Sequence, residues 1–336
     1  VNGINGTLSA VGGSTSGKGG NISVTNNGTG GIGASAPTNI LVNATSGAGG
    51  NITLSSPTGP VSIPAGNLNA SASGGNFAGG NINITGTNLA VGGGAALNLL
   101  ANGIGTGNGG QINLTTTTAA GNITVGSAAG NVTIQANAGA GAGANGGTVN
   151  INSGGSLIID ANSLKASVGS TGDGPTINLT AASKDLSGNA FFQVTGTIDA
   201  SGTGTGNGGK VNISYREPNA GTPFIVGAVG ARNFVSGNIL ATAPSTGSGG
   251  TITITNSAPA PLNIELQGTG TISANSVSGT LGQVNLKQPG QSINVSGNAA
   301  GVGTVLGVVN ATGTTVTINP RANNEVLNAG TITGTT

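Results

Sequence analysis

GTGNGGQINL, residues 105–114, returns almost unchanged as GTGNGGKVNI at residues 204–213. Each copy ends in two aliphatics separated by one polar residue, directly after a Gly-Gly pair. Searching outward for Gly-Gly-x-aliphatic-x-aliphatic finds GGNISV at Gly19, GGNITL at Gly49, GGNINI at Gly79 and GGQINL at Gly109. The first aliphatic then falls at Ile22, Ile52, Ile82 and Ile112, a step of 30 residues three times running. The pattern continues with looser spacing at Val149, Ile177, Val211, Ile252, Val284 and Val316. A fixed period of this length is the mark of stacked repeats.

Two further phrases share the period. Aliphatic-x-Ala precedes each Gly-Gly strand, at Leu8, Val42, Leu68, Leu99, Ile134, Leu164, Ile198, Ile239, Ile272 and Val309. An aliphatic pair follows it, for example Val61/Ile63, Leu89/Val91, Ile123/Val125, Leu157/Ile159, Phe192/Val194, Ile264/Leu266 and Ile293/Val295. Strict alternation reads as a half-buried strand, and Gly-Asn clusters read as turns that favour positive φ. The chain is therefore expected to be all-β: a single parallel β-helix, or β-solenoid, over residues 1–336. It should have three short strands per coil and about ten coils of about 30 residues, stacked at roughly 4.8 Å. Ile22, Ile52, Ile82, Ile112, Val149, Ile177, Val211 and Ile252 should point inward on one sheet. The Gly-Gly corner should let the backbone turn and let coils stack without a Cβ clash.

Composition narrows the function. Charged residues make up 4% of the chain and the formal net charge is +1, so no field of either sign points to nucleic acid or an anionic membrane. There is no stretch of about 18 apolar residues to span a bilayer. Cys, His, Met and Trp are absent, which removes a disulfide framework and thiolate or imidazole ligands. Without Met the numbered chain is expected to be a processed product or part of something longer. The carboxylates Asp160, Asp173, Asp185, Asp199, Glu217, Glu265 and Glu325 are scattered and share no register. Acid–base chemistry needs paired groups, so no enzyme, cofactor or metal is expected. Asn-x-Ser/Thr matches such as Asn21-Ile22-Ser23 are frequent in a chain so rich in Asn and Thr, and carry little weight for glycosylation.

The phrase from Ile198 to Ile213 (IDASGTGTGNGGKVNI) resembles the repeats of filamentous-haemagglutinin-like exoproteins, large bacterial surface proteins of which many are exported by two-partner secretion. The resemblance covers nearly the whole chain and rests on repeat style. It implies a right-handed β-helix, export to the cell surface, and adhesive or matrix roles. The Asn-Pro-Asn type motif of that family's secretion domain is not found; Asn319-Pro320-Arg321 does not match. This chain is then a repeat-region segment or a differently exported relative.

Two places are candidates for binding. The outward residues Asn21, Asn51, Asn81 and Gln111, with Ser23, Thr53, Asn83 and Asn113 beside them, should form a hydrogen-bonded ladder that stabilises the stack. The same face could bind a repeating ligand such as glycan or ice; Thr251/Thr253 and Thr315/Thr317 are the Thr-x-Thr pairs an ice-binder would show. The second place is residues 214–238, an expected insertion interrupting the repeat, with Tyr215, Arg216, Glu217, Phe224 and Phe234 as candidate interaction residues. The plainer expectation there is a covering loop, removable from Arg216 to Ala231 without loss of the solenoid. A second disturbance spans Lys184–Phe192. The reading is a non-enzymatic extracellular subunit or segment of a bacterial surface filament or adhesin. Its partner is another copy, head to tail, or flanking solenoid of a longer parent, with cell-surface glycans as a further partner. The alternative is a ligand-binding solenoid, either a glycan-binding adhesin module or an ice-binding protein.

Overall fold

The structure, a computed structural model, describes every residue except 1–2, 14, 35–36, 94–95, 127–131, 161–163, 166–167, 183–190, 289, 298–303, 320–331 and 335–336. It is all-β, a solenoid of about 9 turns with coils of about 31 residues. Each coil runs through three faces in a constant order. A Gly-Gly strand such as Asn51–Ser56 is followed by a short strand such as Val61–Ile63 and then by a strand of the Ala phrase such as Gly66–Asn69. Among the described residues the strands of successive coils pair in parallel, as the coil-over-coil path requires, and only isolated bridges in the loops, such as that of Phe77 with Ile104, are antiparallel. The Gly-Gly strands form one continuous 11-stranded sheet and the short strands a 12-stranded sheet. The Ala-phrase strands form sheets of 6 and 4 strands.

Like residues stack on like. Ile52 pairs with Ile82, Ile82 with Ile112, and Ile112 with Val149. Ile52, Ile82, Ile112, Val211 and Ile252 are 0% exposed, while Val149 and Ile177 are 1% exposed. Ile22, in the first coil, is only partly buried against that core. The interior is thus a column of aliphatics from three walls, too narrow for much else.

The Gly-Gly pairs act by close approach. A Cβ on Gly79 would lie 2.1 Å from the carbonyl oxygen of Ala101, and one on Gly80 would lie 1.9 Å from that of Gly50. No side chain survives such distances, so the pair is demanded by the crossing of two coils. The left-handed conformation is used elsewhere, as at Gly66 (φ 126) where the Ala-phrase strand begins.

Three register expectations change. In the second coil it is Ile40, not Val42, that stacks on Leu68. In the last coils Val308–Gly313 joins the Gly-Gly sheet, and Val316–Asn319 joins the short-strand sheet. Thr304–Leu306 takes the Ala-phrase place that Val309 was expected to hold. That segment, GTVLGVVNATG, has no Gly-Gly pair, so alternation alone left the face ambiguous and pairing with Gln283–Lys287 decided it. Ile332–Gly334 pairs with Ala311–Gly313 in the Gly-Gly sheet.

Candidate functional site

Outward amides run in ladders along the stack. Asn51 Nδ2 donates to Asn21 Oδ1 at 2.7 Å, and Asn81 Nδ2 donates to Asn51 Oδ1 at 2.7 Å. Gln111 stands above Asn81 in register. The longest run lies one column over. Asn113, Asn150, Asn178 and Asn212 each donate to the amide oxygen one coil earlier, beginning at Asn83, over 2.6, 2.6, 2.6 and 2.7 Å. Every link points the same way, Nδ2 to the preceding Oδ1. Each amide therefore keeps one N–H and one lone pair for other partners. Shorter ladders join Asn39, Asn67 and Asn98 on the Ala face, and Asn263 with Asn294 on the short-strand face.

The repeated Asn before Gly-Gly has a separate role. Asn108 Oδ1 accepts from the Asn145 N–H at 2.9 Å, and Asn145 Oδ1 accepts from the Asp173 N–H at 2.9 Å. Asp173 Oδ1 accepts from the Asn207 N–H at 2.8 Å, and Asn207 Oδ1 accepts from the Ser248 N–H at 2.8 Å. These bonds tie the connecting loops of successive coils to one another. The near-identity of the two GTGNGG phrases follows, since Asn108 and Asn207 occupy the same place in the stack. Sequence reading passed over this role, although the phrase itself was the signal. Beside these loops, Asp173, Asn207, Ser248, Lys210 and Thr251 line a groove of about 430 Å3 together with Gly208-Gly209 and Gly249-Gly250.

Within residues 214–238 the repeat is modified from inside. Lys210–Tyr215 continues the Gly-Gly sheet without a break. The chain then forms Phe224–Val226, loops back, and forms Asn233–Val235, which pairs in parallel with both Phe224–Val226 and Phe192–Val194. The coil thus adds a strand to one face and none to the Gly-Gly face. The lengthened wall encloses more interior, and rings fill it. Phe192, Tyr215 and Phe224 meet at centroid distances of 5.6 Å (Phe192–Phe224), 4.9 Å (Tyr215–Phe224) and 6.5 Å (Phe192–Tyr215). Tyr215 follows Ser214, which stands over Thr180 of the preceding coil, where the next residue is the buried Ala181.

A polar knot closes this coil. Glu217 is 1% exposed and pairs with Arg232 at 3.3 Å. Its carboxylate also accepts from Asn233 Nδ2 at 2.9 Å and from the Asn219 N–H at 2.9 Å. Asn256 Oδ1 accepts the Glu217 N–H at 3.0 Å, and Asn256 Nδ2 donates to the Glu217 carbonyl at 3.0 Å. Burial pushes the Tyr215 phenol well above its usual range, and the Glu217 carboxylate adds to the shift.

The five residues singled out here therefore have distinct places. Tyr215, Phe224, Phe234 and Glu217 are buried, and Arg216 is half-exposed. The Arg232 guanidinium stands 5.7 Å from the Phe191 ring centroid. The segment Arg216–Ala231 is not a removable loop, because Phe224–Val226 is a wall strand that pairs with Ile264–Leu266. Of the second disturbance, residues 184–190 lie outside the described residues, and Phe192 belongs to the core.

The Thr-x-Thr pairs separate. Thr251 and Thr253 lie on the Gly-Gly face, whereas Thr317 pairs with Asn294 on the short-strand face. Among the described residues no three of His, Cys, Asp and Glu gather to hold a metal ion. Asp185 and Glu325 lie outside them. No helix is long and apolar enough to cross a membrane among the described residues. No protein-family model, no curated protein and no solved structure matches the chain.

Proposed function

We propose that this chain is a non-enzymatic structural element of an extracellular bacterial filament or adhesive stalk, joined end to end through open solenoid edges. The observation that carries the reading is the register kept from coil to coil, through 11 strands on one face and 12 on another. Leu8 is 36% exposed, while Ile40, its neighbour one coil on, is 0% exposed. Ile22 and Val24 are partly buried, whereas Ile52 and Leu54 above them are 0% exposed. A parallel coil whose core is partly bare is completed by another coil of the same period. That coil belongs to a longer parent chain or to a second copy, added head to tail. Such a contact is heterologous and extends as an open filament. The low charge of the chain removes the repulsion that opposes it. The repeat style that resembles surface exoproteins supports placement outside the cell.

Light scattering and negative-stain microscopy of the purified chain test the homopolymer. Threads that lengthen with concentration are expected. Particles of a single solenoid at every concentration, with an ordered first coil, would overturn head-to-tail assembly and leave continuation within a longer chain. Glycan binding is the second reading, favoured by the polar groove beside Lys210 and Asp173. Saturable binding of a soluble oligosaccharide by dispersed particles would support it.

A further inference from the structure

The face built by the Gly-Gly strands has a chemistry of its own. Among the described residues its strands are mostly five or six residues long and stay in register through 11 strands. Three columns of short side chains point out of it. The middle column reads Ser23, Thr53, Asn83, Asn113, Asn150 and Asn178, then Asn212, Thr253, Asn285 and Asn310. No charged side chain lies on this face from Asn21 to Thr180; Lys210 and Lys287 come later, in the outer columns.

We propose that this face is an interface between two copies of the chain, lying side by side with their Gly-Gly faces together. The inference rests on the filament reading and adds a lateral contact to the axial one. Three observations carry it. First, the surface is complementary to itself. The laddered amides each retain a donor and an acceptor, and Thr and Ser hydroxyls are both, so the same patch can satisfy its own image as an isologous contact requires. Second, the spacing matches over the whole length. Both copies repeat at the same coil rise, so contacts made at one coil recur at the next; a ligand of another period drifts out of step. Stacked Asn ladders packed face to face are a known source of cohesion between sheets. Third, the area suffices. The full face, a coil rise of roughly 4.8 Å by strands of about 17 Å, offers on the order of 800 Å2 per partner, the size of a stable protein interface.

The test uses the full chain with Thr115, Asn152 and Thr180 all replaced by Glu, or all by Lys. These residues occupy one outer column in three consecutive coils and make none of the amide ladder bonds described above. Circular dichroism checks that each variant folds. Sedimentation and the widths of negatively stained particles are then compared with those of the parent chain. The parent is expected to form pairs or bundles, and each charged variant to self-associate roughly tenfold more weakly or worse, since six like charges are then gathered in one interface. An equimolar mixture of the Glu and Lys variants is expected to restore association. Parent particles one solenoid wide at all concentrations would overturn the proposal, as would charged variants that associate like the parent. A parent that stays single but binds a linear polysaccharide on this face would overturn it in favour of that occupant. Width and length are read separately, so long threads one solenoid wide would sink the lateral contact alone. Short particles two solenoids wide would sink the axial one alone.

Discussion

In the coils from Asn51 to Thr116 the interior holds stacked Ile, Leu and Val, with Ser56 at a corner. In the coil from Lys210 to Gly250 it holds the rings of Tyr215 and Phe224, packed on Phe192 of the coil before, with an ion-paired carboxylate and a buried amide. The first arrangement is non-directional and repeats because each layer buries the same groups against the next. The second is directional. It exists because one wall gained a strand, and it depends on each member of the Glu217–Arg232–Asn233–Asn256 set keeping its partners. A regular coil can be exchanged for its neighbour; this one cannot.

The largest effect of a single substitution is expected in the regular region. Ile112→Asp buries a charge among aliphatics, and its cost is expected to exceed about 5 kcal/mol, enough to unfold the neighbouring coils. Loss of protease resistance around residues 80–150 checks it; an unchanged digestion pattern would mean that Ile112 does not face inward. Glu217→Ala is the matching cut in the special coil. It removes the ion-pair partner of Arg232 and strands the Asn233 amide N–H, and a loss of about 3–5 kcal/mol is expected. Because a solenoid is stabilised by nearest neighbours, hydrogen exchange should quicken between residues 190 and 266 and stay slow at 50–116. Uniform quickening would show that the polar knot holds the whole stack.

Alkali sharpens the contrast with a single group, since the chain has one Tyr. The Tyr215 phenol is raised in the folded state above its ordinary value of 10.0. The folded chain then holds a proton that the unfolded chain releases, so stability is complete below the unfolded value and falls as pH rises beyond it. The slope is about 1.4 kcal/mol per pH unit. Phenolate absorbance should appear together with unfolding, and a phenolate that forms while the fold persists would place the hydroxyl in water. The smallest effect is expected from Asn150→Ala, which removes two ladder bonds on a half-exposed surface. Its cost is about 0.5–1.5 kcal/mol in thermal unfolding. A loss as large as that of Glu217→Ala would make the ladder, not the core, the main tie between coils.

Much of this molecule was legible from residues alone. The 30-residue step of Ile22, Ile52, Ile82 and Ile112 determined the fold class, the strand phase and the core. Hydrophobic alternation is local, and a stack of near-identical coils needs little else to choose its register. The outward amides were legible for the same reason, because alternation places them opposite the aliphatics. What the sequence could not decide was everything set by a neighbouring coil. Val309 and Val316 changed faces because, without a Gly-Gly pair, only the strand beneath them distinguishes one face from another. The Asn before Gly-Gly was readable as a turn residue, yet its amide oxygen serves a backbone N–H about 30 to 40 positions away. Tyr215, Phe224 and Phe234 look like exposed aromatics in an irregular stretch. Tyr215 and Phe224 are interior, whereas Phe234 is buried on the outer side of its strand beside Gln193 and Ile225; only tertiary structure shows that Asn233–Val235 was added to a wall and a wider core had to be filled.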